Sequence, residues 1–270
     1  MRIALVSRVD DQRAISFTRD LGDTIGSLGH EVSFEPETAR VLRSDNLWPF
    51  DGSVDLAIIV GGDGTILHTI QQMDHKVPVI GVNWGEVGFL ADLEPDEAIP
   101  FIRGLKPGFP TEPRMRVALK SGETVLGEAL NEALIVTSRP AKMLRFVIVV
   151  DGIEAESFRA DGLLVSTPTG STAYAMSAGG PIVDPRIEGF LLVPLAPYML
   201  SSRPHLISND RSVRISLESA KPATLVIDGQ KTIELGNEQL LEVTQAEQPA
   251  LFVDAHKNFF KKVDHKLRHL

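Results

Sequence analysis

Val54-Asp55-Leu56-Ala57-Ile58-Ile59-Val60 runs straight into Gly61-Gly62-Asp63-Gly64-Thr65, after which Ile66, Leu67, Ile70 and Met73 recur at helical spacing. An apolar run of this kind suits a strand buried on both faces, the situation found in parallel sheets. Strand, glycine turn and helix in that order put the turn at the carboxyl edge of the sheet, where open α/β folds bind ligands. Glycines let the backbone approach a phosphate closely, and the amides that open a helix favour anions. A carboxylate beside such a site suits two tasks: taking a proton from an attacking hydroxyl, or holding a magnesium ion. The plain alternative is a tight turn with Asp63 as helix N-cap. The segment has neither the lysine of a Walker A loop nor the glycine spacing of a Gly-x-Gly-x-x-Gly dinucleotide turn.

On the amino-terminal side, Ile3 to Val6 reads as another buried strand. Ala14, Phe17, Leu21, Ile25 and Leu28 then mark a helix closed by Gly29. Val77 to Val82 is the next strand. This alternation predicts an open, mostly parallel α/β domain over residues 1–106. Three prolines and a glycine between Pro107 and Pro113 read as a linker. Beyond it the chain reads mostly as strands, predicting an all-β, sandwich-like domain over 107–249. Asp151-Gly152, between Phe146–Val150 and Ile153–Phe158, suits the positive φ angles of a tight hairpin. Val213–Leu217, Ala223–Ile227 and Leu240–Val243 continue the pattern. Phe259, Phe260, Val263, Leu267 and Leu270 return to helical spacing. A terminal helix with one apolar face needs a partner, so residues 250–270 are expected to pack back on the first domain.

The 270 residues are 43% hydrophobic and 23% charged, with a formal charge of -9, the profile of a soluble globular protein. That charge argues against a nucleic-acid binder, which needs a basic surface. With no cysteine, disulfides, thiolate catalysis and Cys-ligated metals are excluded. The first apolar run meets charge again at Arg8 and Asp10, too soon for a signal-peptide core. The longest apolar stretch, Phe190 to Leu200, contains two prolines and falls short of a membrane span. A cytoplasmic protein without membrane contact is expected.

A second informative segment runs from Arg159-Ala160-Asp161-Gly162 through Ser166-Thr167-Pro168-Thr169-Gly170-Ser171-Thr172-Ala173-Tyr174. A strand opens into a loop dense in hydroxyls and then into a short helix from about Ser171 to Ala178. The hydroxyls can donate to a ligand or satisfy their own backbone. Ser171 lacks a Gly-x-Ser-x-Gly elbow, so it is not a hydrolase nucleophile. Together with Asn83-Trp84-Gly85-Glu86-Val87-Gly88-Phe89-Leu90, Asn131-Glu132, Ser177 through Pro181 and Ser201-Ser202-Arg203-Pro204, these motifs resemble the NAD kinase family, in that family's order and over residues from about 55 to 230.

The resemblance implies an ATP-dependent enzyme, with inorganic polyphosphate as an alternative donor, that phosphorylates the 2′-hydroxyl of NAD. Magnesium would arrive with the donor, and a homodimer or homotetramer is implied. Asp63 matches the catalytic base, Gly64 lies beside it in the substrate site, and Gly61, Gly62, Gly64 and Thr65 form the donor turn. Asn131 and Glu132 match the pair that binds the ribose and adenine region. Thr172, Ala173, Tyr174 and Ser177 match the segment lining the NAD site. Arg159 and Asp161 match positions that complete it, in such enzymes partly from a neighbouring subunit. Lys142, Ala196 and Gln230 fall at further contact positions. His68 stands where many relatives carry arginine, and a surface or packing histidine is an equal reading. His265 and His269, one helical turn apart, lack the third ligand of a metal site. Two rivals remain: a lipid-type kinase with a similar turn, and a non-catalytic NAD(P) sensor.

Overall fold

The structure, a computed structural model, describes residues 1–74, 76–85, 88–139, 142–199, 201–218, 221–236 and 238–268. Glu86 and Val87 of the Asn83–Leu90 motif, and His269 and Leu270 of the terminal helix, lie outside the described residues. The chain divides into two units, Met1–Pro113 with Ala250–Leu270, and Arg114–Pro249.

The first unit opens with β1 (Arg2–Ser7), α1 (Gln12–Ser27), β2 (Glu31–Phe34), α2 (Pro36–Leu42), β3 (Leu56–Gly61), α3 (Asp63–Gln72), β4 (Val79–Asn83) and α4 (Pro95–Gly104). All six residues of β3 are buried, as a strand covered on both faces requires. On α1, Ala14, Leu21 and Ile25 are buried, whereas Leu28 is exposed where the helix ends and Gly29 takes φ +83°. The short β2, α2 and α4 were not among the sequence expectations. Their signals are turn chemistry rather than periodicity: Glu35 caps α2, and Glu94 with Glu97 forms a capping box on α4, each helix starting with proline.

The expected linker Pro107–Pro113 groups with this first unit rather than opening the second. It carries β5 (Thr111–Arg114), an edge strand of the first sheet, and the Asp254 amide donates to the Pro110 carbonyl at 2.9 Å. Pro113 is tolerated within β5 because an edge strand leaves amides without ladder partners, and Pro107 and Pro110 precede the strand.

The second unit is built from β6 (Val117–Ser121), β7 (Thr124–Ala129), β8 (Glu132–Thr137), β9 (Leu144–Val150), β10 (Ile153–Ala160), β11 (Gly162–Ser166), the short α5 (Tyr174–Ser177), β12 (Gly189–Leu195), β13 (His205–Ser208), β14 (Val213–Leu217), β15 (Ala223–Ile227), β16 (Lys231–Leu235) and β17 (Gln239–Gln245). Two six-stranded antiparallel sheets result, in the orders β10-β9-β14-β17-β6-β7 and β13-β12-β11-β8-β15-β16. Alternate residues of both, Phe146, Ile148 and Ile215 from one and Ile135, Leu163 and Leu225 from the other, share a single buried core. That shared core makes the unit a β-sandwich. The β9–β10 turn has Asp151 at φ +50° and Gly152 at φ +81°, the hairpin that Asp-Gly predicts.

The chain then re-enters the first unit as β18 (Ala250–Val253) and α6 (Phe259–Leu267). The first sheet is completed in the order β2-β1-β3-β4-β18-β5, with the β1, β2, β3, β4 and β18 pairings parallel. Strand order reverses between β1 and β3, so a crevice opens above their carboxyl ends. Only Val263 of α6 is buried, and Phe260 is 55% exposed. Ion pairs hold this segment instead, Lys257 to Glu97 at 2.5 Å and Lys262 to Asp92 at 2.6 Å.

Candidate active site

In the first unit the glycine turn leaves β3 beside that crevice. Gly62 is the N-cap of α3 and Asp63 its first helical residue, so Asp63 does not cap the helix with its side chain. Its carboxylate is instead held from outside. The Phe89 amide donates to Oδ2 at 2.7 Å and the Leu90 amide to Oδ1 at 3.0 Å. Gly88 makes this approach feasible, because a Cβ there would sit 2.5 Å from Asp63 Oδ1. The Asn83–Leu90 motif thus has a local purpose: it fixes the direction of one carboxylate. Trp84 within it packs on Phe17, with ring centroids 5.0 Å apart, and belongs to the core.

A cavity of about 290 Å³ lies at the same edge, lined by the β1 end at Ser7 and Arg8 and by Gly64, Thr65 and His68 of α3. Arg8 is paired with Asp10 at 2.7 Å and donates to the Trp84 carbonyl at 3.0 Å; the Asp10 hydrogen bond raises its pKa. His68 is exposed on the cavity wall with its ring against the Gln72 side chain, 2.6 Å from Nε2.

In the second unit the Asn131-Glu132 pair begins β8. It is held by a residue absent from the sequence candidates, Asp228. Its carboxylate accepts the amides of Leu130 at 2.8 Å, Asn131 at 2.8 Å and Glu132 at 3.1 Å. Asp228 is buried at φ +47° in the turn after β15. The signal that could have found it is Asp228-Gly229, the same dipeptide as in the 151–152 hairpin. Burial, then the Asp228 charge, pushes the Glu132 carboxyl up to about 7. Asn131 Oδ1, Glu132 Oε2 and Thr169 Oγ1 are all buried with no hydrogen-bond partner among the described residues. Buried acceptors left open in a native chain point to a ligand that satisfies them.

The hydroxyl-rich segment serves partly as scaffold. Ser166 and Thr167 bond the Asn131 carbonyl, and Thr167 Oγ1 donates to Leu130 at 2.5 Å. Ser171 is fully buried and both donates to and accepts from Val183, so it has no free hydroxyl. The single helix expected from Ser171 to Ala178 is two pieces, a 3-10 turn over Thr169–Thr172 and α5. Ala173 breaks them apart at φ −98° and ψ −133°. The break leaves Thr172 buried while Tyr174 and Ser177 face outward.

The predicted NAD-site residues fall at two opposite ends of this sheet. Asn131, Glu132, the Thr172–Ser177 segment and Gln230 cluster at one end, where Glu132 pairs with Ser166 and Ile227 with Ala133. Asp161 and Ala196 lie at the other, where Gly162 pairs with Val136 and Leu195, and the Asp161 amide donates to Leu195 at 3.0 Å. Arg159, two residues earlier, lies near the end of β10 in the other sheet, its carbonyl accepting the Tyr198 amide at 2.8 Å. Lys142 is exposed in the loop between β8 and β9, also at this far end. The four residue steps from Gly162 to Ser166 separate the ends by about 13 Å at roughly 3.3 Å each. One sheet does not bring all the candidates together.

Among the described residues no group of three or more His, Asp and Glu side chains is arranged to cage a metal, and no helix is long and apolar enough to cross a membrane. A magnesium ion that keeps its waters needs no such cage, being held by one or two carboxylates, and Asp63 is the carboxylate on the glycine turn that such an ion would reach.

A parallel sheet whose glycine turn presents a fixed carboxylate at a helix start is the equipment of a phosphotransferase. Comparison with known proteins agrees. Residues 9–106 match the family model described as the ATP-NAD kinase N-terminal domain, and residues 130–255 that of the ATP-NAD kinase C-terminal domain. Proteins named NAD kinase from Methanoculleus marisnigri and Methanoregula boonei are 62% and 60% identical over 270 residues, covering 100% of both chains in each case. The crystal structure of an NAD kinase from Archaeoglobus fulgidus in complex with ATP matches with a TM-score of 0.83 and 31% identity, covering 100% of both chains. The chain belongs to the NAD kinase family.

Proposed function

We propose that the chain transfers the terminal phosphoryl group of ATP to the 2′-hydroxyl of the adenosine ribose of NAD, giving NADP. The observation that carries this reading is the Asp63 carboxylate, aimed by the Phe89 and Leu90 amides. Each carboxylate oxygen accepts one amide and keeps acceptor capacity for a hydroxyl. Asp63 takes the 2′-hydroxyl proton, that oxygen forms its bond to the γ-phosphorus, and the bond to the departing ADP oxygen breaks. Phosphoryl transfer asks mainly for position and charge neutralisation, so the catalytic gain lies in the fixed direction of Asp63. The donor phosphates rest on Gly61 to Thr65, with Gly64, Thr65 and His68 on the wall of the adjoining cavity. Asp63 is the carboxylate that would hold a donor-bound magnesium ion, which would supply charge neutralisation to the donor oxygens.

The open acceptors Asn131 Oδ1, Glu132 Oε2 and Thr169 Oγ1 suit the hydroxyls and amino group of an adenosine, with Ala173, Tyr174, Ser177 and Gln230 around them. A lipid acceptor would leave these buried polar atoms unmet. Asp161 and Ala196 lie at the opposite end of β11, about 13 Å along the sheet, with Arg159 and Lys142 in the segments beside that end, which fits a homodimer or homotetramer in which they complete a neighbour's site.

The test is direct. Purified protein with NAD, ATP and magnesium is expected to yield NADP, read with an NADP-specific dehydrogenase, with polyphosphate compared in parallel. Asp63→Asn is expected to keep the fold and NAD binding while losing roughly a thousandfold or more in turnover. Near-normal turnover in that variant would remove Asp63 from the mechanism.

A further inference from the structure

The terminal helix brings into the first unit a charge that the proposed reaction does not use. Lys266 lies in the last turn of α6. Its Nζ is buried and has no hydrogen-bond partner among the described residues. It sits 5.7 Å from the centroid of the Phe89 ring, and the amide of Phe89 is the one that holds Asp63 Oδ2 at 2.7 Å. A lysine stem is long enough to carry its ammonium to water. Lys266 instead keeps three N–H donors indoors, at a cost in lost hydration.

The carboxylates nearest in its field are already engaged. Asp63 accepts the Phe89 and Leu90 amides. Asp92 pairs with Lys262, one turn earlier on the same helix, at 2.6 Å. Glu94 accepts Asn83 Nδ2 at 3.1 Å and caps α4. Burial and the Lys262 charge push the Lys266 ammonium below the usual lysine range, while Asp63, Glu94 and Asp92 hold it up. Thus Lys266 has charge neighbours and still no bond. Without it, a polyanionic ligand arriving at the Gly61–Thr65 turn would meet the Asp63, Asp92 and Glu94 carboxylates, while Arg8 and Lys262 are each already paired with an aspartate.

We propose that Lys266 is a donor-phosphate ligand, its Nζ taking a non-bridging oxygen of the phosphate chain seated on the Gly61–Thr65 turn. A compact ammonium with three rotatable donors suits phosphate oxygens, and the Phe89 ring places that ammonium beside the turn. The proposal rests on the assignment of that turn as the donor site. It also gives the return of α6 to the first unit a chemical purpose beyond closing the fold.

The experiment compares Lys266→Met, which keeps the stem and removes the charge, with Lys266→Arg, which keeps the charge. Steady-state kinetics are run against ATP with magnesium and against NAD, alongside calorimetric titration of ATP–magnesium in the absence of NAD. Lys266→Met is expected to raise the ATP KM and the ATP dissociation constant by about tenfold or more, leaving the NAD KM within about twofold. Lys266→Arg is expected to recover most of the loss, and thermal unfolding to show an intact fold. Lys266→Gln serves as the second charge-removing variant if the methionine form does not fold. Unchanged ATP parameters in a folded, charge-free variant overturn the proposal. So does a joint worsening of both substrates with a lowered melting temperature, since that marks a helix anchor. Asp63→Asn separates the two levels of inference: activity in that variant sinks the donor-turn reading itself, whereas an inactive Asp63→Asn beside a normal Lys266→Met sinks Lys266 alone.

Discussion

Glu132 keeps its proton into a pH range where free carboxyls have lost theirs. Its pKa of about 7 stands above the ordinary glutamate value of 4.5, through burial first and the Asp228 charge second. Between those values the folded chain holds a proton that the unfolded chain has released, so stability falls as pH rises from 4.5 through about 7. The difference corresponds to about 3 kcal/mol. Glu132→Gln, which resembles the protonated form, is expected to flatten this dependence and to stabilise the chain at about pH 8 relative to about pH 5.5. Urea unfolding at the two pH values measures it, and a variant as pH-sensitive as the parent would show that the charge lies elsewhere. Glu132 itself was legible in the sequence only through its pairing with Asn131 in a family-like motif. Asp228, which fixes the backbone of both and adds its charge to the burial that keeps Glu132 protonated, was not. It sits almost a hundred residues away along the chain, and nothing in its own neighbourhood names the segment it holds.

Among the elements, those with a clear hydrophobic period were readable, and those made by turn chemistry were not. β1, β3, β4, α1 and α3 follow apolar runs or stripes, and the β9–β10 hairpin follows its Asp-Gly. The split between the 3-10 turn and α5 has no periodic signature, because both pieces are four residues long. Their placement is set by close approach. A Cβ at Gly170 would overlap the Asn131 carbonyl oxygen and meet Ser166 Oγ at 2.6 Å. Gly170→Ala is therefore expected to push the loop off Asn131, costing about 1–3 kcal/mol in stability and weakening NAD binding with little change in the ATP KM. Chemical denaturation and an NAD titration test the two halves of this expectation. An alanine variant with parental stability would show that the loop can yield without harm. Likewise the prolines of 107–113 read as a break in the sequence, yet Pro113 sits within an edge strand, and the structure assigns that stretch to the first unit.

For the whole molecule, the separation of candidates along one sheet has the largest consequence. Asn131 and Glu132 stand at the Ser166 end of β11, and Asp161 stands before Gly162 at its other end. A sheet is too stiff to bend those ends together, so a site that uses both groups either spans the strand within one copy or draws one end from a second copy of the chain, and mixed oligomers distinguish the two. The sequence alone could list these residues together, because a linear motif does not say which end of a strand each one occupies. If NAD sites are shared between copies, Glu132→Ala and Asp161→Ala each disable every site in their own homo-oligomers. In a mixed oligomer some sites draw the first end from one variant and the second end from the other. Such a site has both defects or neither. Mixing the two inactive proteins under conditions that exchange subunits is therefore expected to restore about a quarter of parental activity when exchange into dimers is random, half of the dimers being mixed and each carrying one intact site of two. The rescue should rise with exchange time and vanish when the same mixture is cross-linked beforehand. If both variants are inactive and the mixture stays inactive despite proven exchange, each site is complete within one copy, and the far-end residues act on the fold instead.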